Sequence, residues 1–334
     1  MYRCTLLLCL SLGALVKCAA GSDWCYSGCE YSPTHWHEIP HSSCGGNRQS
    51  PIDIVTSHVK MDPHLDNFTF VNFSSQRVIK NIINTGHTVK CNLENDQVEL
   101  SGGGLNGLYS TIQFHFHWGD TKHHPGSEHT VDGHRYSMEM HIVSLKTGLS
   151  VEEALNDPEG IAVLGFFINA TEDGDMFGPW DSLTSYLVNL TDTDVTLHNI
   201  SIDDLIGNVD RTRFYRYNGS LTTPNCSEAV VWTVFHEPIN VNKKLIERFP
   251  VHMKVTNVYR PVQDLGTRHV FASPATPLPP GHSWCYDDHC EYSPSQWHLL
   301  PDSQCGGESQ SPINIDTKHI VVDEHLDSLH LYKV

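Results

Sequence analysis

Basic residues are scarce in this chain. Its 334 residues include 21 Lys and Arg against 39 Asp and Glu, a formal net charge of −18. So acidic a surface has no general attraction for phosphate backbones, which sets nucleic-acid binding aside. Long apolar runs are lacking as well. The run within Thr5–Val16 is too short to cross a bilayer as a helix. It follows Met1-Tyr2-Arg3 and leads to Cys18-Ala19-Ala20, small residues suited to a signal-peptidase cut. Residues 1–20 are therefore expected to be a secretory signal peptide. The closing Ser-Leu-His-Leu-Tyr-Lys-Val has no hydrophobic tail, so no lipid-anchor signal or membrane span is visible, and tethering is left open. A Gly-x-Ser-x-Gly elbow is missing, which removes that class of serine hydrolase. With 24 Gly and 18 Pro, the composition is neither collagenous nor low-complexity.

Histidine and cysteine are plentiful, at 23 and 11. Removing residues 1–20 takes away Cys4, Cys9 and Cys18 and leaves eight cysteines for an oxidising compartment. Asn67, Asn72, Asn169, Asn189, Asn199, Asn218 and Asn225 each open an Asn-x-Ser/Thr sequon with no proline between. Seven sequons behind a signal peptide favour a secreted or cell-surface glycoprotein.

The chain repeats its own beginning. Trp24-Cys25-Tyr26, Cys29-Glu30-Tyr31-Ser32-Pro33, Trp36-His37, Cys44-Gly45-Gly46 and Gln49-Ser50-Pro51-Ile52 recur as Trp284-Cys285-Tyr286, Cys290-Glu291-Tyr292-Ser293-Pro294, Trp297-His298, Cys305-Gly306-Gly307 and Gln310-Ser311-Pro312-Ile313. After a one-residue insertion the offset stays at 261 residues, still holding at His64 against His325. Residues 21–271 thus read as one full domain, residues 272–282 as a stiff Pro-rich linker, and residues 283–334 as the truncated start of a second copy. At about 50 residues, that second piece buries too little surface to be reliably stable alone.

The first domain reads as mainly β. Phe68–Phe73, Thr88–Leu93, Thr111–Trp118, Ser137–Leu145, Ile161–Ala170 and Ala229–Phe235 are rich in β-branched and aromatic residues. Turn-forming clusters such as 101–104 separate several of them, and Val151–Leu155 and Trp180–Leu187 read as short helices. A large antiparallel or mixed sheet with peripheral helices (α+β) follows.

The densest chemical signal is Gln113-Phe114-His115-Phe116-His117-Trp118. Strand alternation points His115 and His117 one way and the aromatic residues the other. Taken alone, His-x-His is as well explained by two hydrogen-bonded histidines in a polar cleft. A third histidine, His141, follows Glu139 at the same two-residue spacing. A metal-bound histidine normally donates its second N–H to a carboxylate or carbonyl, a role open to Gln113 toward His115 and to Glu139 toward His141. Three neutral imidazoles with an open fourth position describe a catalytic rather than a structural zinc site, which would call for a fourth ligand and usually thiolates.

Gln113-x-His115-x-His117-Trp118-Gly119, Ser127-Glu128-His129-Thr130-Val131, Glu139-x-His141 and Leu221-Thr222-Thr223-Pro224 closely resemble the α-class carbonic anhydrases. Gln49-Ser50-Pro51-Ile52 and Arg260-Pro261 fit the same family, and the likeness covers about residues 24–271 in order. It implies a roughly ten-stranded, mostly antiparallel twisted sheet with zinc in a conical cleft, held by His115, His117 and His141. The implied activity is the reversible hydration of CO2 to bicarbonate and a proton by zinc-bound hydroxide. Thr222 and Glu128 match the pair that orients this hydroxide, since a hydroxyl that accepts from it must donate its own proton to an acceptor. His87, in Asn84-Thr85-Gly86-His87, falls where fast members keep a proton-shuttle histidine; otherwise it reads as an exposed turn residue. Val143, Val163, Leu221, Thr223, Val230 and Trp232 would form the substrate pocket, although the apolar ones equally suit a core.

The paired cysteines resemble the extracellular, glycosylated members, and Cys44–Cys226 and Cys25–Cys29 bridges are expected. Cys91 and Cys305 are left over, and a local Cys285–Cys290 bridge would suit the second copy. Thr85 and Lys90 depart from the commonest family residues, and a cation at the cleft wall leaves turnover and inhibitor preference open. His123 and His124, in a loop one residue longer than the shortest members carry, read as surface histidines. The competing reading is a catalytically weak or inactive extracellular binding module on the same fold. The presence of all three histidines with Glu128 and Thr222 argues against it. Residues 283–334 hold no counterpart of those five residues.

Overall fold

A computed structural model of the protein describes residues 24–120, 124–190, 195–279, 286, 293–299, 303–313 and 315–322. Residues 1–20, His123, Cys285, Cys290 and the side chain of Asn189 lie outside the described set. The chain divides into two compact units between Leu278 and Pro279.

The first unit is built on a twelve-stranded mixed sheet. Its main path runs through Lys60–Met61, Phe271–Ala272, Phe214–Gly219, Val230–Phe235, Ile161–Thr171, Met138–Lys146, Tyr109–Trp118, Val89–Leu93 and Ile79–Asn84. Most neighbours are antiparallel, while Ile161–Thr171 pairs in parallel with both Val230–Phe235 and Ile239–Asn242. A small sheet of Asp53–Ile54, Thr130–Val131 and His134–Arg135 stands beside it. The large sheet is thus somewhat wider than the ten or so strands anticipated.

Two central strands are buried on both faces. Ile161–Ile168 are all buried, as are Val230–Phe235, so both read as continuous apolar runs. One face carries the main core, with Phe114, Phe116, Trp118, Met138, Met140 and Ile142 packed against Trp180, Leu183, Phe249 and Leu205. The other carries a second cluster that includes Val143, Val163, Trp232, Val230, Tyr215 and Tyr217. Burial of each large apolar side chain contributes about 1.5–3 kcal/mol before conformational entropy is counted.

The expected strand Phe68–Phe73 stops at Val71, because Asn72 turns to a φ of 61° and breaks the pairing with Glu99–Gly102. Gly103 sits in that neighbourhood at a φ of 59°, with the Phe68 ring where a side chain would project, so only glycine fits. The expected helix at Trp180–Leu187 is an α-helix over Pro179–Ser185 that tightens to a 3-10 turn over Tyr186–Asn189. At Val151–Asn156 a capping box of Ser150 and Glu153 begins the helix.

Residues 272–278, the first part of the expected linker, belong to the first unit. Ala272 pairs with Tyr215, the Ser273 hydroxyl donates to Thr212 O at 2.6 Å, and the Thr276 hydroxyl donates to Phe214 O at 3.1 Å. In the second unit, 3-10 turns span Trp297–Leu299 and Thr317–His319. The Gln310 side chain donates to Gln304 O at 2.9 Å, as Gln49 does to Ser43 O at 2.9 Å in the first copy. Ile313, Ile315, Val321 and Val322 there are exposed.

Candidate metal centre

Strand pairing brings the three histidines together. Across the antiparallel pair, His141 lies opposite His115 and Glu139 opposite His117. Opposed residues share a face, so alternation and register together gather all four side chains on one side. The ring centroids of His115 lie 5.1 Å from His117 and 5.3 Å from His141, and those of His117 and His141 are 4.6 Å apart. One nitrogen from each ring falls within 4.8 Å of the other two, a grouping able to hold a metal ion.

The remaining ring nitrogens are all engaged. His115 Nδ1–H donates to Gln113 Oε1 at 3.0 Å, His117 Nδ1–H to Val258 O at 2.9 Å, and His141 Nε2–H to Glu139 Oε1 at 2.7 Å. In the neutral rings these bonds leave lone pairs on His115 Nε2, His117 Nε2 and His141 Nδ1. His117 Nε2 is buried without a partner, a cost that a metal ion would relieve. Burial, with repulsion from the neighbouring histidines, holds His115 and His117 well below the ordinary imidazole range. Both therefore present the neutral form that ligates metals.

Glu139 anchors the floor of the site. Its buried carboxylate accepts from four N–H groups: the backbones of Glu128 and His129 at 2.8 Å each, and the rings of His129 and His141 at 2.7 Å each. Burial alone would raise this group, but His129 and His141 hold it well below the carboxylate range. Gly165, paired with His141, makes room for it, since a Cβ there would lie 3.1 Å from Glu139 Oε1. Behind Glu139, His129 Nε2 is 2.7 Å from the Tyr217 hydroxyl, which is 2.8 Å from Ser50 Oγ. His129, Glu139 and His141 also form a metal-like grouping, but hydrogen bonds among themselves consume it.

Glu128 is buried beside the histidines, 3.4 Å from His117 Nδ1. Burial pushes its carboxyl up to about 7, against the pull of His141, the nearby Thr222 hydroxyl and the Arg260 N–H, and its Oε2 is buried with no hydrogen-bond partner. That N–H donates to Glu128 Oε1 at 2.8 Å. The Arg260 guanidinium, buried and lowered by that burial to about 10, donates to Gln49 Oε1, Ser50 O and Cys44 O. The loop bearing Thr222 is closed by Cys226 N–H to Thr223 O at 2.7 Å and tied to the N-terminal segment by the Cys44–Cys226 disulfide. Cys25 and Cys29 form the second bridge, and Cys91 and Cys305 are free thiols.

His87 is half-buried in the turn between Ile79–Asn84 and Val89–Leu93. Thr85 Oγ1 shapes that turn by accepting from the His87 and Thr88 backbones. The His87 ring stacks on Trp24 at 3.8 Å and 12°. Val143, Val163 and Trp232 fall in register across three adjacent strands and pack with Val230 and Leu221 in the second cluster. Val163, Val230 and Trp232 are almost wholly buried, so they back the wall, while Leu221 and Thr223 are half-exposed. His124 is exposed and pairs with Asp120 at 2.6 Å. Of the sequon asparagines, Asn67, Asn72, Asn199, Asn218 and Asn225 are exposed and Asn169 is half-buried.

The sequence assigns no role to His129, to Tyr217 or to the Val258 carbonyl, although His129 lies within the Ser127–Val131 motif. Their partners lie 10, 88 and 141 residues away in sequence, so no local spacing marks them. The one available signal is alternation along Glu128-His129-Thr130, which gives His129 a direction different from that of Glu128.

A wide twisted sheet bearing three inward histidines, each backed by its own acceptor, is the framework of a protein able to hold one metal ion. The eukaryotic-type carbonic anhydrase family matches residues 31–274. Rabbit (Oryctolagus cuniculus) carbonic anhydrase 4 is 40% identical over 292 residues, spanning 81% of this chain and 92% of the rabbit protein. Bovine (Bos taurus) carbonic anhydrase 6 is 33% identical, covering 80% of this chain and 85% of its own. Human carbonic anhydrase 7 is 35% identical, covering 75% and 97%. The chain belongs to the eukaryotic-type carbonic anhydrase family, whose members are zinc-dependent.

Proposed function

We propose that this chain catalyses the reversible hydration of CO2 to bicarbonate and a proton, with zinc held by His115, His117 and His141. The observation that carries the reading is the division of labour on each ring: one nitrogen is fixed by an acceptor, and the other is left free toward its neighbours. Zinc bound there supplies a Lewis acid that makes a water-derived nucleophile available near neutral pH, a chemistry for which carbonic anhydrase is itself the standard example.

The chain's own residues then supply direction, a dry wall and a proton exit. Glu128 Oε2 is buried with no hydrogen-bond partner, and a Thr222 hydroxyl turned to donate to it would keep its own oxygen free to accept a hydrogen bond from the attacking group and fix its orientation. Positive charge held at the three imidazoles adds to the pull on Glu128 and favours its acceptor-only carboxylate form. Val143, Leu221 and Thr223, backed by Val163, Val230 and Trp232, offer CO2 a largely apolar surface. His87 carries the released proton outward, with Trp24 as the surface on which its ring rests. The two disulfides and the exposed sequons support a secreted or cell-surface glycoprotein. Among the described residues no helix is long and apolar enough to cross a membrane.

Zinc quantitation and stopped-flow CO2 hydration on residues 21–278 test the reading. One zinc per chain is expected, with hydration lost in His115→Ala and His141→Ala. Full hydration by metal-free protein would overturn it.

A further inference from the structure

Lys90 is out of keeping with its surroundings. The strand Val89–Leu93 alternates, with Val89, Cys91 and Leu93 in the main core and Lys90 and Asn92 on the other face. Lys90 pairs directly with His115, and Asn92 with Gln113, so the ammonium belongs to the same face as the three histidines. Opposed Cα atoms in such a pair are about 4.5–5.5 Å apart, within easy reach of a lysine side chain.

The molecule deals differently with its other half-buried cations. Arg48 pairs with Glu228, Lys146 with Asp157, Arg211 with Asp203, and Arg213 with both Asp210 and Glu237. Lys243 pairs with Glu172 and Arg248 with Asp181, while Arg135 and Arg268 donate to backbone carbonyls. Among the described half-buried Lys and Arg, only the Lys90 side chain has no ion-pair or hydrogen-bond partner. Beside His115 on that face stand the neutral amides of Asn92 and Gln113, and Asn92 spends an N–H on Asn81 Oδ1. In a chain of net charge −18, a partly desolvated ammonium without a carboxylate is a local reversal of sign. Its charge is also one of the influences that hold His115 in the neutral form, after burial and the two other histidines.

We propose that Lys90 is an anion-docking residue of the cleft, which draws small monovalent anions, bicarbonate among them, toward the three-histidine site. The proposal rests on the metal reading above and deepens it. The ammonium acts on the anionic partner of the reaction, and neutral CO2 gains nothing from it. A single charge at this range in a partly hydrated cleft should change anion affinity by about threefold to tenfold. Added salt should shrink that effect, because a half-exposed charge is screened.

The test uses the chain loaded with cobalt(II), whose visible spectrum reports both metal binding and anion binding, and thiocyanate as the probe. Cobalt stoichiometry is read first. A chain that takes up no cobalt overturns the metal reading and this proposal with it. In a loaded chain, Lys90→Met should weaken thiocyanate binding by about threefold to tenfold, Lys90→Arg should restore it, and the gap should narrow at high ionic strength. Unchanged affinity in Lys90→Met, or equal weakening in Lys90→Met and Lys90→Arg, would overturn the docking role while leaving the metal reading intact. Should Lys90→Met fail to fold, Lys90→Gln gives the same comparison with a polar, uncharged side chain.

Discussion

Arg260 offers a sharp test of how the site is supported. It is 2% exposed, and its guanidinium makes three hydrogen bonds: to Gln49 Oε1 at 2.9 Å, Ser50 O at 2.8 Å and Cys44 O at 3.1 Å. The group also lies 5.6 Å from the centre of the Trp36 ring. Arg260→Met keeps an apolar stem but strands those three acceptors in the N-terminal segment. Each buried orphan costs about 1–3 kcal/mol, partly offset because the charge itself is no longer desolvated. A net loss of about 3–5 kcal/mol follows, or roughly 6–20 °C in Tm for a domain of this size. The backbone N–H that holds Glu128 survives the substitution, so metal stoichiometry should be retained while stability falls. Thermal unfolding of metal-loaded protein, followed by circular dichroism, makes the measurement. Arg260→Lys, which can serve fewer acceptors, should lie between the two. A melting temperature within about 2 °C of the wild type would refute the reasoning.

Other consequences are equally direct. His87→Ala should slow turnover in weak buffer, and concentrated imidazole should restore part of the rate by taking the proton itself; an unchanged rate in weak buffer would make His87 a turn residue only. Cys44→Ser with Cys226→Ser opens a sequence separation of 182 residues, worth on the order of 5 kcal/mol in the chain-entropy model. Urea unfolding should register most of that, and a midpoint unmoved from wild type would contradict it. Truncation after Leu278 should leave the melting temperature of the first unit in place, whereas truncation after Phe271 should lower it by several degrees through loss of Ala272, Ser273 and Thr276. Equal melting temperatures for the two truncations would show that residues 272–278 carry no stability.

Much of the site was legible because β-structure has a period of two. His115, His117, Glu139 and His141 each obey that rule within their own strand, and the aromatic residues between them announce the buried face. The likeness to a known family placed Glu128, Thr222 and His87, none of which local pattern alone would have separated from a turn or a surface charge. Glu99–Gly102 has little strand signal in its composition and is a strand through pairing with its neighbours. Phe214–Gly219, by contrast, does carry a strand signal in its aromatic Phe214, Tyr215 and Tyr217, although it is not among the expected strands.

By itself, then, the sequence determined which residues share a face, where the repeat lies and which side chains have the chemistry to hold a metal. Alternation, composition and spacing are local properties, and a strand carries them wherever it folds. Only the tertiary structure decided that His141 stands opposite His115, that the Val258 carbonyl frees His117 Nε2, and that Glu139 takes four N–H groups at once. It also decided that Lys90, alone among the described half-buried Lys and Arg side chains, faces the histidines without a partner. These are matters of register and of loops returning from more than a hundred residues away, set by how the whole sheet packs rather than by any segment of it.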